Sequence, residues 1–163
     1  MATEIERKFL VVGEAWRSAT AKTIAMRQGY LTRDGKSSVR VRLTDAEARL
    51  NLKAAVVGTT RLEYDWPIAR AEAEEILEQL CLRPLIEKLR HIVEVGGRQW
   101  EVDEFLGDNA GLVVAELELL AADEEFELPT WLGREVTQEQ RYYNQALALR
   151  PYCEWSAAEQ GAA

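Results

Sequence analysis

Six same-sign charge pairs at spacing i, i+2 limit what this chain can fold into: Glu4/Glu6, Arg40/Arg42, Glu63/Asp65, Lys88/Arg90, Glu101/Asp103 and Glu116/Glu118. Each sits in a stretch that alternates polar and apolar residues, the period of a β-strand, whose successive side chains point to opposite faces. In "TEIERKFLV", residues 3–11, Glu4, Glu6 and Lys8 share one face and Ile5 and Phe9 the other. Carboxylates two residues apart on a strand stand about 7 Å from one another and repel by about 2 kcal/mol at an effective dielectric near 20. One such pair fits an ordinary solvated face. Six of them ask for something outside the sequence to balance them, because like-charged neighbours destabilise and wet faces mix signs.

The alternation recurs along the chain. A second strand is read over 23–33, and a third over 37–44, where Val39, Val41 and Leu43 oppose Ser38, Arg40 and Arg42. Residues 48–54 set Leu50 and Leu52 against Arg49, Asn51 and Lys53, and residues 60–68 set Leu62, Tyr64 and Trp66 against Arg61, Glu63 and Asp65. Three more strands are expected over 85–95, 99–107 and 111–120, making eight with the first. Asp34-Gly35 predicts a hairpin turn before the third strand, and Pro67 ends the fifth. Helical periodicity marks 69–80. A second helix is predicted from Thr137, with Thr137 as N-cap and Gln140 closing a capping box. Short connections between strands favour antiparallel meanders, so the class is α+β.

If the sheet curls closed, one consistent arrangement puts the charged faces inside, lining a hydrated tunnel, with the apolar faces outward beneath helices. Concentrated carboxylates suit a divalent cation with hard oxygen ligands, Mg²⁺ or Mn²⁺. Arginines and lysines suit an anion, and guanidinium forks match phosphate oxygens. Together they describe a metal–polyphosphate site.

Other chemistries are disfavoured. His91 is the only histidine, and the two cysteines, Cys81 and Cys153, stand in no metal or redox spacing, so zinc and triad chemistry have no residues to use. Two free thiols, no apolar run of membrane-spanning length and no leader pattern make the cytoplasm the default, with no membrane partner. A net charge of −8 over 163 residues argues against nonspecific nucleic-acid binding, although total charge does not describe a cavity.

Glu4-Ile5-Glu6-Arg7-Lys8 resembles the ExExK signature of the triphosphate tunnel metalloenzymes, the CYTH superfamily. The likeness continues through "RQGYL" at 27–31, Arg40/Arg42, Lys53, "EKLRH" at 87–91, "WEVDEFLG" at 100–107, "AELEL" at 115–119 and "WLGREVTQEQRYYNQALA" at 131–148, as in the short bacterial branch. It implies an eight-stranded antiparallel β-barrel with flanking helices, a single tunnel domain over 1–155, and a frayed tail over 156–163, without the helical histidine-containing domain of longer forms. The family's activities include hydrolysis of inorganic triphosphate, thiamine triphosphate or RNA 5′-triphosphates and class IV adenylate cyclisation. Chains opening on "EIERKFLV" look most like inorganic triphosphatases.

By that resemblance, Lys8, Arg40, Arg42, Lys53, Lys88 and Arg90 hold the triphosphate, and Glu4, Glu6, Glu116 and Glu118 hold the metal. Glu63, Asp65, Glu101 and Asp103 are candidates for a second metal position or for orienting water, with Glu63 and Asp103 favoured for tunnel contact. Tyr30 shares a face with Gln28 and Thr32, and is either a proton acceptor or a hydrogen bond shaping the tunnel mouth. Tyr142 and Tyr143 read as packing residues of a final helix that can plug one tunnel end. Trp16 or Trp131 could stack a heterocycle, as a thiamine triphosphatase or cyclase needs, or lie in the core. A noncatalytic polyphosphate- or nucleotide-binding module would keep the same residues, and the chain could be a monomer or a homodimer.

Overall fold

The structure is a computed structural model that describes residues 2–33, 35–54 and 59–161. Strands occupy Ala2–Val11 (β1), Thr20–Tyr30 (β2), Ser37–Leu43 (β3), Ala48–Ala54 (β4), Thr60–Pro67 (β5), Ile86–Val95 (β6), Arg98–Phe105 (β7), Val113–Glu118 (β8) and Leu132–Glu135 (β9). Their order is β5-β4-β3-β2-β6-β7-β8-β1-β9, and a further pairing of β5 with β1 closes the first eight into a ring. All pairings are antiparallel. Asp34, half of the expected hairpin turn, lies outside the described residues. Between β6 and β7, Gly96 and Gly97 both take positive φ, 59° and 75°, which the two-residue reversal from Val95 to Arg98 requires.

Alternation sorts the strands into an inner and an outer row. The outer residues Phe9, Val93, Trp100, Val102, Ala115 and Leu117 form one core with Trp16 and Trp131, which come from the 3-10 turn Ala15–Ala19 and the segment before β9. On the far side, helix α1 (Arg70–Gln79) lays Ala73 and Leu77 on Val41, Leu43 and Ala48. The expected helical cover is incomplete, since the outer row of β5 stays exposed: Leu62, Tyr64 and Trp66 face solvent, with Tyr64 stacked on Trp66 at 5.9 Å.

The inner row is not charged throughout. Following β1 inward from Glu6 and Lys8 leads to Leu10, β6 runs from Arg90 and Lys88 to Ile86, β7 from Asp103 to Phe105, and β8 from Glu116 to Val114. These apolar ends pack with Tyr142, Leu147 and Trp155 into a second core that stoppers one end of the ring.

Two expectations about the C-terminal region change. β9 is an additional short strand beside β1, too brief to show alternation; Gly133 permits its approach, since a Cβ there would meet Leu10 O at 3.2 Å. The continuous helix from Thr137 is absent. A 3-10 turn, Gln140–Tyr142, gives way at an extended Tyr143 to α2 (Asn144–Leu149). Thr137 does not cap a helix because its Oγ1 accepts the Lys8 backbone N–H at 2.9 Å. Residues 157–160 form a short helix, α3 (Ala157–Gln160), whose Glu159 pairs with Arg150 at 2.7 Å. No helix among the described residues is long and apolar enough to cross a membrane.

Candidate active site

The ring encloses a cavity of about 470 Å³, and its lining includes Glu4, Glu6, Lys8, Tyr30, Arg40, Arg42, Lys53, Glu63, Lys88, Arg90, Glu101, Glu116 and Glu118. Strand register explains the convergence. Across β1 and β8, Glu6 faces Glu118 and Lys8 faces Glu116; across β4 and β5, Lys53 faces Glu63; across β2 and β3, Tyr30 faces Arg40. Seven strands thus deliver charges to the cavity, and β2 supplies the neutral Tyr30.

Most of these charges answer one another. Lys8 Nζ lies 2.8 Å from Glu116, Lys53 Nζ 2.7 Å from Glu4 and 3.8 Å from Glu63, and Arg90 Nη1 2.6 Å from Glu101. Burial pushes the Glu116 carboxyl up, but Lys8, Arg90 and Lys88 outweigh it and hold that group well below the usual carboxylate range. Burial likewise opposes the charge on Lys8, and Glu116 and Glu6 more than restore it.

Two groups depart from the expected roles. Asp103 is brought to the site but lies beneath the cavity wall, 1% exposed, where it accepts from Lys88 Nζ at 2.6 Å and from Arg90 Nε and Nη2 at 2.8 and 2.9 Å. Against the opposing effect of burial, Arg90 and Lys88 draw its pKa down to about 2. All its oxygens are used, so it serves as an anchor for two cations rather than as a free ligand. Asp65 sits near the rim, paired with Arg49 at 2.5 Å.

Arg40 stands out among the cations. It is 9% exposed, its Nε has no hydrogen-bond partner, and it makes no ion pair among the described residues. A buried guanidinium left that way is unfavourable unless a ligand completes it. Next to it, Arg42 is lowered to about 9 by burial and then by Arg40 and Arg90, and so remains charged at neutral pH. Lys88 is drawn down to about 7, first by burial, although Asp103 resists the shift. This cluster is a receptor for an anion.

The opposite wall has the reverse need. Burial raises the Glu118 carboxyl, and Glu4, Glu63 and Glu6 raise it further; burial and then Glu116 raise Glu6. All these donors are hard oxygens, which suits a divalent cation of the Mg²⁺ type. Among the described residues, no three such side chains are yet gathered as a finished metal site, because protein cations hold several of them.

Three contributors were not singled out from the sequence. Arg61, on β5, donates to Glu6 and lies over the Tyr143 ring at 5.0 Å; it shares the face of Glu63, the signal that could have marked it. Asn144, at the start of α2, accepts from Gln28 at 2.8 Å and Lys88 at 3.0 Å, and Gln28 in turn accepts from Arg42 at 3.1 Å. Asn51 donates to Glu63, while its own buried Oδ1 has no partner. Conversely, Trp16 and Trp131 belong to the outer core and offer no stacking face to the cavity. Its two aromatic neighbours are engaged: Tyr30 is 4% exposed, and Lys8 and Arg61 cover the Tyr143 ring.

The CYTH domain profile matches residues 2–150. An inorganic triphosphatase of Acetivibrio thermocellus is 49% identical over 152 residues, covering 93% of this chain and 97% of the relative. An inorganic triphosphatase of Nitrosomonas europaea is 36% identical over 151 residues, covering 90% and 97%. The crystal structure of an inorganic triphosphatase superposes with a TM-score of 0.66 at 34% identity, over 91% of this chain and 96% of that one.

Proposed function

Since this chain belongs to the CYTH domain family, its charged tunnel can be treated as the working site, and we propose that it hydrolyses inorganic triphosphate to pyrophosphate and phosphate with a divalent metal. The observation that carries this reading is Arg40: a buried guanidinium without an ion pair among the described residues, facing a cavity to which those residues offer no free aromatic surface for a base or thiazole ring. Relatives named inorganic triphosphatases support the same substrate.

Phosphoanhydride hydrolysis depends mainly on positioning and charge neutralisation, because the transferred phosphoryl passes through a loose transition state. Arg40, Arg42, Lys88 and Arg90 form the anion wall, with Lys8 and Lys53 reaching the phosphate chain from the other side. Asp103 fixes Lys88 and Arg90, and Asn144 steadies Lys88 from α2. Glu4, Glu6, Glu116 and Glu118 would hold Mg²⁺ or Mn²⁺. Bound there, the metal supplies charge neutralisation on phosphate oxygens and acidifies a water. Glu63, held by Asn51 and Lys53, would orient the attacking water, and Tyr30 would donate to a phosphate oxygen. Free thiols at Cys81 and Cys153 support a reducing compartment, the cytoplasm.

The test is phosphate release from tripolyphosphate, thiamine triphosphate, ATP and pyrophosphate with Mg²⁺ or Mn²⁺, beside a Glu4→Ala, Glu6→Ala control. Metal-dependent turnover dominated by tripolyphosphate and lost in the control is expected. Turnover dominated by another substrate, or none at all, would overturn the assignment, and cyclic AMP formed from ATP would identify a cyclase.

A further inference from the structure

Three of the four carboxylates assigned to the metal, Glu4, Glu6 and Glu116, are already held by the protein's own cations. Glu4 lies opposite Arg61 in the ladder that closes β5 onto β1. Arg61 Nη2 donates to Glu6 Oε1, and its Nε stands 3.5 Å from Glu4 Oε2 without making a hydrogen bond. Its side chain is 10% exposed. A guanidinium carries five donors in one plane, and a buried one with Nε unused is only partly satisfied.

A charge count sharpens the point. Beside the mutually neutral Lys8–Glu116 pair, Glu4, Glu6, Glu63 and Glu118 face two further cations, Arg61 and Lys53, and Glu118 has no ion pair among the described residues. Four negative charges against two positive leave an excess of two, the charge of one divalent cation. The pairing also competes with ligation, since it sets a guanidinium charge against the Glu6 oxygen that a metal would approach.

We propose that Arg61 is the stand-in cation of this site: it holds Glu4 and Glu6 in the unloaded tunnel, yields them to the divalent metal, and turns its guanidinium to the triphosphate. This rests on the tunnel's being the triphosphate site. Exchange makes the two ligands interdependent. The metal alone must displace a buried guanidinium that has no new partner, whereas with polyphosphate present Arg61 moves from one anion to another. Arg61 is therefore a substrate-binding residue only in the loaded state, and metal affinity is coupled to polyphosphate.

Mn²⁺ titration, followed by calorimetry and by the loss of the free-ion electron paramagnetic resonance signal, tests this on the full chain. Wild type is expected to bind Mn²⁺ roughly tenfold or more tightly with a non-hydrolysable imido analogue of tripolyphosphate than without, after subtraction of Mn²⁺ chelated by the free analogue, within the usual range of coupling energies. Arg61→Gln is expected to bind Mn²⁺ alone about tenfold more tightly than wild type, and the polyphosphate analogue is expected to raise its Mn²⁺ affinity about tenfold less than it raises that of wild type. Arg61→Lys, which keeps the charge, stays close to wild type for Mn²⁺ alone. Equal or weaker Mn²⁺ binding by Arg61→Gln sinks the proposal. If that variant is too unstable to titrate, wild type decides: Mn²⁺ affinity unaffected by the analogue has the same consequence. A wild type that binds no tripolyphosphate in EDTA and releases no phosphate would instead remove the functional assignment beneath it.

Discussion

Replacing Asp103 with asparagine tests the anchoring role directly. The substitution keeps shape and removes the one anion shared by Lys88 and Arg90, which are 1% and 7% exposed. Removing one partner of a buried ion pair typically costs about 3–5 kcal/mol, because the other charge is left uncompensated. Lys88, already drawn to about 7, can shed its proton and soften the loss, which favours the lower end; Arg90 cannot. For a domain of this size each kcal/mol moves Tm by roughly 2–4 °C, so the expected drop is about 6–20 °C. The anion should partly reverse it, since ligand at a hundred times Kd stabilises by about 2.7 kcal/mol. Scanning calorimetry in EDTA, with and without tripolyphosphate, provides both readings. At one fixed concentration the ligand should raise the variant's Tm more than that of wild type, because Lys88 and Arg90 no longer divide their hydrogen bonds with Asp103. A variant within 2 °C of wild type, or one that tripolyphosphate does not rescue, would refute the reasoning.

Arg40→Ala should behave in the opposite way: stability unchanged or slightly raised, because the guanidinium makes no ion pair among the described residues, and tripolyphosphate affinity lowered roughly ten- to a hundredfold, as for a lost charged hydrogen bond. Denaturant melts and calorimetric titration check both, and destabilisation with intact binding would contradict the assignment. Lys88 predicts a pH dependence. Its pKa near 7 in the free tunnel must rise when phosphate oxygens lie beside it, so metal-free binding takes up a proton above pH 7 and weakens as pH rises, by up to tenfold per unit, until the pKa of the complex is passed. Titration at pH 8 in buffers of different ionisation enthalpy should show that uptake in wild type and not in Lys88→Gln.

The inner wall was legible because period two survives any tertiary context that buries one face of a strand: Glu4/Glu6, Arg40/Arg42 and Lys88/Arg90 all face the cavity. The eight-stranded closure followed from those faces and from the family resemblance. Strand order was not legible, since nothing local tells β1 that its neighbours are β8, β5 and β9. The stoppered end escaped because Leu10, Ile86, Phe105 and Val114 continue the charged faces with apolar residues, and alternation looks the same whether the last inward residue is wet or dry. Thr137 matched a capping box by composition, but a buried backbone N–H on β1 claimed its hydroxyl, a contact spanning 129 positions of sequence. Asp103 and Asp65 were grouped with their same-face partners, although depth separates them from Glu101 and Glu63.

Among the described residues the closing ladder between β1 and β5 is short, running from Ala2 opposite Glu63 to Ile5 opposite Thr60, with the Glu6 N–H donating to Thr59 O just beyond it. That seam holds the ring shut, and Glu4, Arg61 and Glu63 all lie along it. A cation and an anion gripped from both sides of the seam would act as rivets, adding their binding free energy to the few backbone hydrogen bonds that join the two edges. Wall and cargo then brace each other: the enclosure that shapes the ligand is at its weakest when empty.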